Sequence, residues 1–256
     1  MNKRNTQQRR RLILDLLNQQ GEVSVEQLAA HFDTSEVTIR KDLTALEDNG
    51  LLLRRYGGAV LVPQELIHEA AVEQVSQRKL QLAKAAAGLI RDHNRIILDS
   101  GSTTAALLPE LSHKNGLVVM TNSLAIANAL RELENEPTLL MTGGSWDAQS
   151  ESFQGQLAEQ MLRAYDFDQL FIGADGLDLQ RGTTTFNELT SLSRVMADVA
   201  REVIVMVESD KIGRKIHNLE LPWSVVSVLV TDEQLSPEAK QAITAHGVKV
   251  ICAPLA

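Results

Sequence analysis

Seven short apolar runs punctuate the last two-thirds of the chain: RIILD (95–99), GLVVMTN (116–122), TLLMTGG (138–144), QLFIGADG (169–176), VIVMVESDK (203–211), VSVLVTD (226–232) and VKVICA (248–253). Their centres are continuously apolar rather than alternating, as strands buried on both faces require. Helically spaced stretches separate most of them, at 123–133, 156–164, 188–201 and 237–246, and an Ala- and Leu-rich helix is expected at about 78–92. Strand–helix alternation of this kind lays the strands parallel in one sheet with helices on both faces. The expected fold class is therefore α/β, with a parallel-sheet domain over residues 78–256.

The polar residues fall where such a sheet binds ligands. The runs end in Asp99-Ser100-Gly101-Ser102-Thr103-Thr104, Thr121-Asn122-Ser123, Thr142-Gly143-Gly144, Gly173-Ala174-Asp175-Gly176 and Glu208-Ser209-Asp210-Lys211. In an open α/β sheet the ligand crevice lies outside the carboxyl ends of the strands. Ser100 to Thr104 offer hydroxyls and amides at a strand-to-helix junction, a setting that favours an anion such as a phosphate. Taken singly, Gly143-Gly144 also reads as a plain turn, Ser102 or Thr103 as a helix cap, Asp175 as a loop cap, and Lys211 with Arg214 as a solvated basic loop. Their convergence on one edge of one sheet favours the ligand crevice.

The first sixty residues follow a different pattern. Residues 9–20 predict a helix with Leu12, Leu16 and Leu17 on one stripe and Ile13 beside it, ended by Gly21. Ser24-Val25-Glu26-Gln27 is a capping-box pattern that opens a short helix through Phe32. Thr34 or Ser35 caps a third helix, which Asn49-Gly50 stops. Two short helices joined by a tight turn are the elements of a helix-turn-helix. In the third helix Ile39, Leu43 and Leu46 face the core, so Val37, Lys41 and Thr44 point the other way, flanked by Thr38 and Arg40. A valine on that side suits a thymine methyl, Thr38 a phosphate or base edge, and Arg40 or Lys41 guanine or phosphate. The alternative is a charged outer face on an ordinary surface helix. Leu51 to Val60 then reads as two strands around a Gly57-Gly58 turn, a wing approached by Arg54, Arg55 and Tyr56.

Charge agrees with this division. The formal net charge of the whole sequence is -8, yet residues 1–60 hold nine Lys/Arg against eight Asp/Glu, so the acid belongs mostly to the larger domain. A single cysteine, Cys252, excludes an internal disulfide and suits a reducing cytoplasm. The basic start lacks the apolar run of a signal peptide, and no transmembrane helix is expected, so a soluble cytoplasmic protein is predicted.

The stretch SEVTIRKDLTALEDNGLLLRRYGGAV resembles the winged helix-turn-helix of DeoR/GlpR-type bacterial repressors, whose signature runs S-x-x-T-I-R-x-D-L, L-x-x-x-G and R-x-x-G-G-A. Ser35, Thr38, Ile39, Arg40, Asp42, Leu43, Leu46, Gly50, Gly57, Gly58 and Ala59 fit it. In the remaining sequence D-S-G-S-T-T, T-N-S-L, T-G-G, F-x-G-x-D-G-x-D, G-x-T-T-x-N-E and S-x-K-x-G-R resemble the sensor domain of the same family, itself similar to ribose-5-phosphate isomerase and CoA-transferase-like folds. The resemblance implies a phosphate site at Ser102, Thr103 and Thr104 with Lys211 nearby, and sugar hydroxyls at Asp175, Asn187 and Glu188. Two positions depart from it: Glu208 stands where such repressors usually have Asp, and Asp210 replaces a small or polar residue. SFQGQLAE, FDQLFIGADGLDL and GTTTFNE resemble repressors of sorbitol or amino-sugar operons more than those of glycerol phosphate.

These readings assemble into a winged helix-turn-helix at 1–61, a linker at 62–77 and a sugar-phosphate-sensing domain at 78–256. The expected partners are double-stranded operator DNA, a phosphorylated sugar or polyol effector, and further copies of the same protein in a homodimer or homotetramer. The candidate DNA contacts are Ser35, Val37, Thr38, Arg40, Lys41, Arg54, Arg55, Tyr56, Gly57 and Gly58. The candidate effector contacts are Asp99, Ser100, Gly101, Ser102, Thr103, Thr104, Asn122, Gly143, Gly144, Asp175, Asn187, Glu188 and Lys211. A sugar-phosphate isomerase is the leading rival, because GADGLDLQRGTTTFNE echoes an isomerase stretch in which Asp, Asp, Lys and Glu surround the substrate. Arg181 precedes Gly182 here, and an arginine does not readily give up a proton. Binding without turnover is expected. No cofactor or metal is expected, since the six histidines and Cys252 show no ligand spacing. A protein-interaction module using the winged helix as scaffold would leave Val37 and Lys41 on one exposed face unexplained.

Overall fold

The computed structural model describes residues 9–10, 12–14, 16–17, 21–47, 52–55, 57–61, 77–148, 150–187, 190–214 and 216–254. The expected helix stop at Asn49-Gly50, the contact at Tyr56, the linker up to residue 76 and the contact at Glu188 lie outside these residues. Two compact units make up the protein, residues 1–74 and 75–256.

The smaller unit holds helix α1 (traced at residues 9–10, 12–14 and 16–17), β1 (Glu22–Ser24), α2 (Val25–His31), α3 (Glu36–Glu47), β2 (Leu52–Arg55) and β3 (Gly58–Leu61). Ser24 and Gln27 complete the capping box at α2 in both directions, and the Ser35 hydroxyl accepts from the Thr38 amide at 3.2 Å to cap α3. Ile13, Leu17, Leu28, Ile39, Leu43, Leu46 and Leu52 form the core. Here α1 corrects the expected stripe: Ile13 and Leu17, four residues apart, are fully buried, whereas Leu12 stays 43% exposed.

The wing is also larger and differently turned than expected. β3 lies between β1 and β2 in an antiparallel sheet, with Ser24 opposite Gly58 and Arg55 opposite Gly58. Of the expected Gly57-Gly58 turn, Gly57 stands in a turn while Gly58 is already a strand residue. A Cβ on Gly58 would stand 2.2 Å from the Val23 carbonyl oxygen, so only glycine lets β3 approach β1 this closely. In the sequence, the strand EVS of β1 is hidden by the cap that it precedes.

In the larger unit all seven expected strands form one parallel sheet: β4 (Arg95–Leu98), β5 (Val118–Thr121), β6 (Thr138–Met141), β9 (Phe167–Ile172), β12 (Ala200–Met206), β14 (Val228–Asp232) and β15 (Lys249–Ala253). Their order is β15-β14-β12-β9-β4-β5-β6. From β4 the sheet grows outward through β5 and β6, then the path returns to the other side of β4 with β9 and continues the opposite way. The strand order thus reverses between β4 and β9, which makes that gap the topological switch point.

Helices α4 (Gln77–Ala87), α5 (Ser102–Ala105), α6 (Leu108–Leu111), α7 (Leu124–Arg131), α8 (Gln156–Arg163), α9 (Ser191–Asp198) and α10 (Pro237–Thr244) accompany the sheet. One apolar cluster includes Ile97, Leu170, Val205 and Leu229 with Leu162 and Met196; the other joins Ile96, Leu98, Phe171 and Ile204 to Leu82 and Leu130. Side chains alternate between these faces along β4, as a doubly covered sheet requires. α4 ends at Ala87 rather than near residue 92, because Gly88 follows, and α9 ends at Asp198 because Ala200 already belongs to β12.

Two small additions were not expected. A hairpin joins β7 (Ser145–Asp147) to β8 (Ser152–Gln154), and an antiparallel sheet joins β10 (Gly176–Asp178), β11 (Gly182–Thr185) and β13 (Asn218–Pro222). No helix among the described residues is long and apolar enough to cross a membrane.

Candidate functional site

On α3 the burial follows the helical wheel. Ile39 and Leu43 are buried, while Val37 is 59% exposed and Ser35, Arg40 and Lys41 are exposed beside it. Arg40 is held by Glu36 at 2.6 Å, one turn back, and the Ser35 and Thr38 hydroxyls lie 2.9 Å apart. Arg54 on β2 donates to the Thr44 hydroxyl at 2.7 Å, and that hydroxyl donates to the Arg40 carbonyl at 2.9 Å. The wing is thereby tied to the outer side of α3.

Several of the charges counted as a positive cluster serve the fold instead. Arg9 and Arg10 each donate through Nε to opposite oxygens of Asp42, at 2.6 and 2.9 Å, and Asp42 is 2% exposed. Arg55 donates to Glu22 at 2.8 Å, linking β2 across β3 to β1. Gly58 is buried within the wing sheet, so its part in the expected interface is to shape the wing, not to offer a contact surface.

In the larger unit the switch point gathers most of the expected effector residues. The Asp99 amide donates to the Phe171 carbonyl at 3.1 Å, which keeps the ends of β4 and β9 together. Asn122, at the end of β5 and 1% exposed, accepts from the Ser100 amide and donates to Asp99 Oδ1, both at 2.9 Å. Lys211 is 8% exposed and donates to the Ala174 carbonyl at 3.4 Å, in the loop after β9. Asp175 accepts from the Thr185 hydroxyl at 2.7 Å and the Phe186 amide at 3.1 Å, and the Asn187 amide donates to the same hydroxyl at 3.1 Å.

Other expected residues have structural duties. The Thr104 hydroxyl is fully buried and donates to the carbonyls of Asp99 and Gly101 at 2.7 and 2.8 Å, so it closes the loop from within rather than facing a ligand. Gly144 steers the backbone into the β7–β8 hairpin, since a Cβ there would meet the Gln154 carbonyl at 2.5 Å; Gly143 adopts φ 61° beside it.

Charge at the switch point is mixed. Desolvation raises the Asp99 carboxyl to about 6, against the hydrogen bonds from Asn122 and Ser100. Glu220 on β13 is raised further, to about 8, chiefly by burial and then by the negative field of Asp99 and Asp175, while its bond from Ser193 at 2.7 Å works the other way. Hydroxyls, amides and buried ammonium groups beside carboxyl groups are the chemistry of a ligand with an anionic end and a hydroxyl-bearing end.

Two family models match this sequence: a DeoR-like helix-turn-helix domain over residues 9–65 and the DeoR C-terminal sensor domain over residues 74–233. The protein belongs to the DeoR family. A protein of Escherichia coli O157:H7, named as a putative aga operon transcriptional repressor, is 40% identical over 252 residues, which is 96% of the present sequence and 93% of the relative's. The GlpR transcriptional regulator of Haloferax volcanii is 30% identical over 248 residues, covering 95% and 96%. Ribose 5-phosphate isomerase A of Methanocaldococcus jannaschii superimposes with a TM-score of 0.39 and 22% identity over 54% of each protein. The relatives carry the names of transcriptional regulators, and this DeoR-family protein is a DNA-binding regulator of that kind.

One polar residue of the DeoR sensor unit escaped the sequence reading. Lys79 is 5% exposed and donates to the Ser102 hydroxyl at 2.9 Å. The signal was present: Lys79, Leu82, Ala83 and Ala86 share the buried stripe of α4, and a lysine in an apolar stripe needs a partner.

Proposed function

We propose that the protein represses a carbohydrate catabolic operon by binding double-stranded operator DNA through α3 and the wing, and that a phosphorylated sugar or polyol at the switch point releases it. What carries the effector half is the pair of buried lysines at the switch point, Lys79 bonded to Ser102 after β4 and Lys211 to the Ala174 carbonyl after β9. The phosphate is assigned to Ser100, Ser102, Thr103 and Lys211, and the sugar hydroxyls to Asp175 and Asn187. The base contacts are assigned to Val37, Thr38 and Lys41, with Arg40 and Arg54 at phosphates.

The site binds without turnover. An isomerase needs a carboxylate base and an electrophile poised at one substrate. Arg181 instead lies in the turn between β10 and β11, 3.9 Å from Asp178 and bonded to the His217 carbonyl at 3.3 Å. One winged helix covers few base pairs, so two or four copies assembled through the larger unit complete the operator contact. Titration of DNA fragments with and without sugar phosphates tests the reading, with light scattering for assembly. Operator affinity unmoved by every phosphorylated sugar and polyol, or a monomer at micromolar concentration, would remove the corresponding part.

A further inference from the structure

The polypeptide enters the sensor unit, after residues 62–76, through the first turn of α4. Two adjacent residues of that turn grip two sets of strand ends: Lys79 the loop after β4, at the switch point, and Arg78 the ends of β12 and β14. Lys79 donates from Nζ to Ser102 Oγ at 2.9 Å, in the loop after β4. Arg78 donates from Nη2 to Ser209 Oγ at 3.1 Å and to Asp232 Oδ2 at 2.8 Å, and its Nε lies 3.9 Å from Glu208 Oε1. Ser209 opens the 3₁₀ turn Ser209–Lys211, and Lys211 reaches from it to the loop after β9.

We propose that this turn is the relay between effector and operator: Lys79 is a direct ligand of the effector's phosphate, and Arg78 is a positioning residue that registers movement of the Lys211 turn. The inference rests on the effector reading under the proposed function. A phosphate at Ser102 attracts the Lys79 ammonium more strongly than the neutral hydroxyl does, because both partners are then charged. Lys79 is 5% exposed and lies on the buried stripe of α4, so its head has little room to shift without moving the turn that bears it. A ligand moves a conformational equilibrium only through contacts that differ between the states. The exchange at Lys79 and the link at Arg78 are such contacts, and they lie where the backbone arrives from the DNA-binding unit.

The test uses the full-length protein, with inorganic phosphate, glucitol 6-phosphate and glucosamine 6-phosphate as probes and an operator fragment selected from random duplexes. Probe affinity and its effect on operator affinity are read together. Lys79→Met weakens probe binding at least about tenfold, and Lys79→Arg recovers much of it, because the arginine keeps the charge-assisted bond. Arg78→Gln binds probe and operator much as the parent does, but the probe no longer weakens operator binding. Should that variant fail to fold, Ser209→Ala cuts the far end of the same link with the same expectation. Full coupling in Arg78→Gln or Ser209→Ala, or parental probe affinity in Lys79→Met, overturns the relay while leaving the effector reading intact. A parent protein that binds none of the three probes overturns both.

Discussion

The two units use charge in opposite ways. In the DNA-binding unit the conspicuous basic residues are partly turned inward: Arg9 and Arg10 close on Asp42, and Arg55 closes on Glu22. Among the described residues, the outer side of α3 presents Val37 and Lys41 exposed, with Arg54 exposed on β2. In the sensor unit the inconspicuous charges are the informative ones: Lys79, Lys211 and Glu220 are buried, the lysines bonded in the loops after β4 and β9 and Glu220 within the field of Asp99 and Asp175. A count of basic residues therefore overstates the DNA contact of the first unit and passes over the ligand chemistry of the second.

Asp42→Ala is the largest expected break in this comparison. It leaves two arginines facing a buried gap and costs about 3–5 kcal/mol, enough to unfold much of a small unit. Calorimetry should show the first unit's transition lost and the sensor's transition in place, with operator binding abolished. An unchanged first transition would mean that Arg9 and Arg10 belong to the DNA surface after all. Lys211→Ala comes next: it should weaken sugar-phosphate binding by about 1.5–3 kcal/mol and leave operator affinity alone, giving a repressor that is hard to release. Equal loss of both activities would argue against a division of labour.

Lys41→Ala should cost about 1–3 kcal/mol of operator binding with effector affinity retained. If Arg10→Ala cost as much at unchanged stability, the exposed side of α3 would not be the reading surface. The smallest effect concerns pH. Because burial holds the Glu220 carboxyl at about 8, the folded protein keeps its proton where the unfolded state has released it, so this group's contribution to stability is full at low pH and is lost as pH rises towards 8. Glu220→Gln should remove that decline and gain on the order of 1–2 kcal/mol at pH 8.5, with little gain at pH 5. Urea unfolding at the two pH values measures it, and a gain that is equal at both would show that Glu220 ionises freely.

The parallel strands were legible as unbroken apolar runs, because the inner ones are buried on both faces and the edge strands β6 and β15, though only partly buried, keep the same apolar composition. The antiparallel sheet was not, because Thr183, Thr184 and Thr185 of β11 are buried hydroxyl residues with no apolar signature. Asp42 was legible as part of a motif but not as the acceptor for α1, since that contact spans more than thirty residues. The hydroxyls of the β4 loop were legible as a group, yet nothing in the sequence separates Ser102, which takes a lysine, from Thr104, which bonds back to its own loop.

The central claim is that the two units act on each other. The direct measurement is a pair of titrations with one selected operator duplex and one sugar phosphate that binds: operator affinity at increasing effector, and effector affinity with and without saturating operator. The account predicts that each ligand weakens the other by the same factor, as linkage demands. Operator and effector binding with no mutual effect would contradict it.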